Sequence, residues 1–214
     1  MICVNITDPS NELMDNKTWH DKERFEKLVM CSAGQDINKV DAKGNTTLYN
    51  AALNDNVVVV EVFMSHPKIE INKPSSDGST PLYIASQENN EKIVSLLLRR
   101  SEIMVNKGNS DGVSPLQVAA RKDHLNISVL LLAHADIDPN QADYGDVTPL
   151  MEAAMAGHVN VATKILLHPR IEANKATWNG TTALFSACEQ QKLNVVQLLL
   201  SCPQTDTTLL DEDG

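Results

Sequence analysis

The sequence predicts an all-α stack of helix-turn-helix units joined by hairpin-like turns, and three observations carry that expectation. The chain superimposes on itself at a step of 34 residues: Thr80 lands on Thr46, Ser114, Thr148 and Thr182, and Leu82 on Leu48, Leu116, Leu150 and Leu184. Ala85 lands likewise on Ala51, Ala119, Ala153 and Ala187. A period this strict marks equal supersecondary units. Thr80-Pro81, Ser114-Pro115 and Thr148-Pro149 each read as a hydroxyl N-cap followed by proline at the first helical position, where a missing N–H costs nothing. Just upstream, Asp77-Gly78, Asp111-Gly112 and Asn179-Gly180 suit a tight turn with positive φ. Each unit is therefore a turn, a short helix, a second turn, a longer helix and a loop.

Residues 1–40 keep only fragments of the pattern and read as an N-terminal cap or degenerate repeat. Phe25, Leu28 and Val29 share one helical face and charges fill the rest, including a Glu23–Lys27 pair. Five repeats follow, about 41–74, 75–108, 109–142, 143–176 and 177–214. The first has Thr47 where proline is expected, and its second helix opens on Val57-Val58-Val59-Val60. Such a β-branched run needs tertiary packing to stay helical. Between the paired helices stand Asp55, Asn89, Asp123 and Gly157, residue types that tolerate left-handed φ, whereas Gln191 departs from the rule. The second helices carry stripes such as Ile93, Leu96, Leu97 and Leu98, too wide to leave exposed. Asn38, Asn72, Asn106, Asn140 and Asn174 keep the same step, and are expected to bond backbone in the loop leading to each turn. Gly214 lies 34 residues after Gly180, so the sequence stops at the turn of a further unit. That suits either a piece of a longer array or a fifth repeat with an open face.

GSTPLYIAS, GVSPLQVAA and DVTPLMEAA resemble the ankyrin repeat, whose pattern is G-x-T-P-L-x-x-A-A, over residues 36–214; the tetratricopeptide Trp/Gly/Tyr pattern is absent. Each unit is one residue longer than the usual length of about 33. The resemblance implies an ankyrin-repeat solenoid with a concave groove for partners, and in this family some asparagines of the ladder type are hydroxylated. It also implies a histidine after T-P-L that bridges neighbouring backbones. Here that slot holds Tyr49, Tyr83, Gln117, Met151 and Phe185, so the bridge is expected to be missing, with packing in its place and a less rigid array.

Composition narrows the function. The 214-residue chain carries 28 acidic against 18 basic residues, a net charge of −10, which opposes phosphate-driven binding of nucleic acid. Cys3, Cys31, Cys188 and Cys202 form no C-x-x-C pair, and Cys188 falls in the slot of Ala52, Ala120 and Ala154, where a buried small residue is expected. No apolar run approaches the roughly 18 residues of a spanning helix, and MICVNITDPSN is no signal peptide. The expectation is an intracellular, cytoplasmic monomer that binds neither membrane nor nucleic acid.

Several motifs imitate chemistry. Gly108-Asn109-Ser110-Asp111-Gly112 matches G-x-S-x-G, but Ser110 aligns with Ala42, Ser76, Tyr144 and Trp178, a turn tip rather than a nucleophile elbow. Asp136, Asp138 and Asn140 resemble the start of a calcium loop, with Gln141 and Val147 where its glycine and closing glutamate belong. His66, Arg100, His134, His168 and Cys202 form a column at helix C-termini. Neighbouring helices stand roughly 8–10 Å apart, too far for ligands that must lie within about 2.0–2.3 Å of zinc. No catalytic residue, cofactor or metal is expected.

What remains is surface. The turn tips run Ala42, Ser76, Ser110, Tyr144, Trp178, and the first-helix ends run Leu53, Gln87, Arg121, Met155, Glu189. Apolar weight gathers in repeats four and five. Tyr144, Val147, Met155 and Trp178, edged by Arg121, Lys122 and Glu189, have the aromatic-plus-arginine composition of binding hot spots. The expected function is a non-enzymatic adaptor or recognition module for a protein partner. A structural spacer or scaffold segment of a larger protein is the alternative, and an enzyme the poorest reading.

Overall fold

A computed structural model describes residues 36–208. Most of the expected cap, Cys3, Cys31 and the end at Gly214 lie outside the described residues. The described chain is helical throughout, with no strand; one isolated antiparallel bridge joins Val40 to Thr46. Its helices come in pairs: α1 (Thr47–Leu53) with α2 (Val57–Ser65), α3 (Pro81–Gln87) with α4 (Glu91–Leu97), α5 (Pro115–Arg121) with α6 (Leu125–Leu132). Two more pairs follow, α7 (Pro149–Ala156) with α8 (Val159–Leu166), and α9 (Ala183–Glu189) with α10 (Leu193–Ser201).

The predicted helix starts are all present. Thr46, Thr80, Ser114, Thr148 and Thr182 each accept, through the side-chain oxygen, the backbone N–H three residues on. That satisfies one of the donors left over at a helix N-terminus. Positive φ falls at Asp55, Asn89, Asp123 and Gly157, and also at Gln191, where φ is 55°. The periodicity of the backbone thus overrides a side chain poorly suited to it, at a cost of order 1 kcal/mol.

The chain divides between Ile103 and Met104 into two compact units. In the first, α1 packs on α3 and α2 on α4. The valine-rich α2 is held as expected, with Val59, Val60, Val62 and Phe63 buried and Asn56 capping its N-terminus. In the second, the first helices α5, α7 and α9 lie side by side, and so do α6, α8 and α10. Leu150, Val161, Ile165, Val195 and Leu199 fill the seam between the two rows, with small Ala153, Ala154 and Ala187 permitting close approach.

The asparagine ladder ties each loop to the one in the next repeat. Within the first unit Asn38 donates to the carbonyl of Lys68 at 2.8 Å and accepts from the N–H of Glu70 at 2.9 Å, and Asn72 donates to the carbonyl of Glu102. Within the second, Asn106, Asn140 and Asn174 bond the carbonyls of Asp136, Arg170 and Gln204 at 2.7 Å and accept from Asp138, Glu172 and Asp206. The rungs are backbone contacts made by side chains, as the spacing predicted, but they reach forward by a whole repeat.

Two expectations are corrected. The backbone bridge is not missing everywhere: buried Gln117 donates Nε2–H to the carbonyl of Val147 at 2.8 Å. An amide on a long stem does what the expected histidine would do. Cys188 is exposed, although Ala52, Ala120 and Ala154 at its position are fully buried. Those alanines are covered by the first helix of a following repeat, and among the described residues no helix follows to cover Cys188.

Candidate functional site

Repeats four and five build the candidate face, entirely within the second unit. The tip of repeat four is made by Asp143, whose carboxylate accepts the N–H groups of Gly145 and Val147 at 2.9 and 3.0 Å while its own N–H donates to the Val147 carbonyl. A short acceptor side chain that folds back on its own turn in this way is the usual reason for aspartate here. The turn thrusts Tyr144 outward, 83% exposed. Tyr144 is anchored all the same. Its N–H donates to the Asp111 carbonyl at 3.0 Å and its ring lies over Gly112, where a Cβ would meet ring carbon Cδ1 at 2.9 Å. With φ at +82° as well, Gly112 has two reasons to be glycine.

One repeat on, the tip is held differently. Thr177 donates its N–H to the Thr181 carbonyl, and the hydroxyls of Thr177 and Thr181 both donate to the Asn179 side chain. Trp178, 76% exposed, projects from this frame. Between the two tips and α7 lies an open recess of about 200 Å³, lined by Trp178, Val147, Met151, Met155, Gly145 and Thr181 among others. Met151 is its floor, 1% exposed, and Val147 and Met155 are half-buried. Three of the predicted site residues, Val147, Met155 and Trp178, are thus gathered into one recess, and Tyr144 adjoins it through Gly145.

Arg121 has a different occupation. Its Nε donates to Glu152 Oε2 at 2.9 Å and its Nη2 to Oε1, a fork-to-fork pair with a carboxylate that is only 8% exposed. The Arg121 carbonyl is also bonded to His158 Nε2 at 3.1 Å. It serves to neutralise a buried charge, which its place in the sequence did not reveal. Lys122 and Glu189 are exposed at the ends of α5 and α9 and do not line the recess. Met151 belongs to the site although the sequence reading gave it only a joint-filling role. Its slot after T-P-L faces the next repeat, a signal that could have found it.

The other motifs resolve into local structure. Ser110 is exposed at a turn tip. His66, His134 and His168 each accept through Nδ1 the N–H two residues on, closing the turn after a second helix. Burial, together with neighbouring Arg170, holds the His168 imidazole below the ordinary histidine range. Arg100 donates to the Met64 carbonyl and pairs with Glu102. Among the described residues, no three His, Cys, Asp or Glu side chains converge as a metal ion would require.

A family model described as ankyrin repeats matches the chain three times, over residues 19–107, 68–143 and 130–211. The chain belongs to the ankyrin-repeat family. Ankyrin repeats are generally protein–protein interaction modules and are typically non-enzymatic. No curated protein matches the sequence. Among the described residues no helix is long and apolar enough to cross a membrane.

Proposed function

We propose that the chain is a non-enzymatic recognition module, working as a cytoplasmic monomer, whose face of turn tips and first helices in repeats four and five docks another protein. In the ankyrin architecture this is the concave face. One observation carries the reading: Trp178 is held out from a hydrogen-bonded turn in the lining of a largely apolar recess, and Tyr144 stands exposed on the neighbouring tip. Leaving two aromatic rings in water wastes burial of roughly 1.5–3 kcal/mol apiece, and hot spots are built from such residues around a pocket that a partner can dry. Each ring is more than three-quarters exposed, so most of its surface is open to a partner.

The test is proximity capture. A photo-crosslinking residue placed at 155 or 178 should trap one recurrent protein, and the same residue at 193, on the second-helix side, should not. Recurrent trapping at 193 alone would move the interface elsewhere. Trapping at none of them would favour a spacer segment over a recognition module.

A further inference from the structure

The recess has a charge sign as well as a shape. Gly145 at its edge stands between Asp143 and Asp146, Asp111 supplies the carbonyl that holds Tyr144, and Glu189 ends α9 in solvent. Of the cations in these repeats, one is neutralised and two make contacts that leave their charge in place. Arg121 is paired with buried Glu152, Lys175 donates Nζ–H to the Asn140 carbonyl at 3.0 Å, and the stem of Lys192 lies against Gly157. Lys122 is exposed at the end of α5, and the chain as a whole carries a net charge of −10. The result is an apolar floor with Asp143 and Asp146 flanking Gly145 at one edge and the exposed Trp178 ring in the lining, while the Tyr144 ring stands on the neighbouring tip over Gly112.

We propose, resting on the docking reading above, that the occupant is an extended basic segment of a partner protein. It seats one leucine- or methionine-sized side chain against Trp178, Met151 and Met155. Its flanking arginines or lysines extend toward Asp146 and Glu189 and across the indole and phenol faces. Size supports the central residue: an apolar cavity of about 150 Å³ holds a benzene ring, so about 200 Å³ takes one such side chain. Charge supports the flanks, since opposite sign at an interface rim steers association and like sign repels. Exposed tyrosine and tryptophan faces add attraction for guanidinium or ammonium within about 6 Å of the ring.

The experiment uses the full chain with Trp19→Phe, leaving Trp178 as the sole tryptophan of the two. Three short synthetic peptides are titrated at low salt: a central leucine between arginines, the same with glycine for leucine, and the same with glutamates for the arginines. The arginine–leucine peptide should shift Trp178 emission saturably and bind at least about tenfold more tightly than either of the others. Its affinity should fall as salt rises, and about fivefold in Asp146→Asn with Glu189→Gln, which keeps a residue tolerant of positive φ at 146. Equal or tighter binding of the glutamate peptide, an unchanged affinity in the neutralised variant, or no response to any peptide would each overturn the basic-segment inference. Crosslinking at 155 and 178 is a separate readout, so that inference can fail while the docking face stands.

Discussion

Gln117 donates its side-chain N–H to the carbonyl of Val147, 2.8 Å away and thirty residues further along. The same amide accepts the Ser114 N–H at 2.9 Å, while the Ser114 hydroxyl accepts the Gln117 N–H at 3.2 Å, a capping box with an arm reaching into the next repeat. Since Val147 lines the recess, a fully buried side chain of repeat three sets the wall of the site in repeat four. Gln117→Leu keeps the bulk and the Ser114 hydroxyl cap, but it removes one of the two donors to the Val147 carbonyl and leaves the buried Ser114 N–H without its acceptor. It should cost about 1–3 kcal/mol, read as a lower urea midpoint at unchanged m-value.

Asn140 holds the following loop from both ends, donating to Arg170 and accepting from Glu172. It is 6% exposed, so water cannot readily replace it. Asn140→Ala should destabilise by about 1–3 kcal/mol, and amide exchange should accelerate first in residues 168–172.

Arg121 and Glu152 give the clearest revision of the sequence reading. Read as an interface edge, Arg121 would tolerate reversal to glutamate without loss of stability. Facing a carboxylate that is 8% exposed, Arg121→Glu instead sets like charges together. The cost should be about 1–3 kcal/mol, below that of a fully buried pair because Arg121 itself is half in solvent. Glu152→Gln should recover part of it in the double variant, and thermal melting of the three proteins checks the sign.

His168 gives a pH dependence of defined sign. Burial and Arg170 lower its pKa in the folded chain, so the unfolded chain binds the proton more readily. The stabilisation from the neutral ring is complete above the unfolded value of about 6.5 and is lost as pH falls through the lower folded one. Protonation also abolishes the Nδ1 acceptor that takes the Arg170 N–H. Wild-type stability should decline as pH drops below about 6.5. His168→Asn, which offers an uncharged acceptor, should show less of that decline in matched denaturation curves.

The repeat was legible because backbone requirements recur at one step: hydroxyl caps, turn residues of positive φ and the asparagine rungs each do the same job in every unit. What varies between units was harder to read. Gln117 looked like the absence of a bridging histidine, because sequence does not show that its amide reaches Val147. Arg121 looked like surface because its partner Glu152 is 31 residues away, on the neighbouring first helix. Cys188 inherited burial from Ala154 by alignment, yet burial depends on a neighbour that follows it, and no residue type encodes that. Val147, Met155 and Trp178 were found together because the same 34-residue step that stacks the helices also aligns the tips.

The most direct measurement is partner retention in matched exposed variants, Trp178→Ala at the recess and Leu193→Ala on the second-helix side, exposed 76% and 72%. Both should melt within about 0.5 kcal/mol of the parent, as exposed substitutions do. Trp178→Ala should lose a crosslink-defined partner by at least about tenfold, as truncation of a hot spot does, while Leu193→Ala retains it. Equal retention by both, or selective loss in Leu193→Ala, would contradict a docking face on repeats four and five.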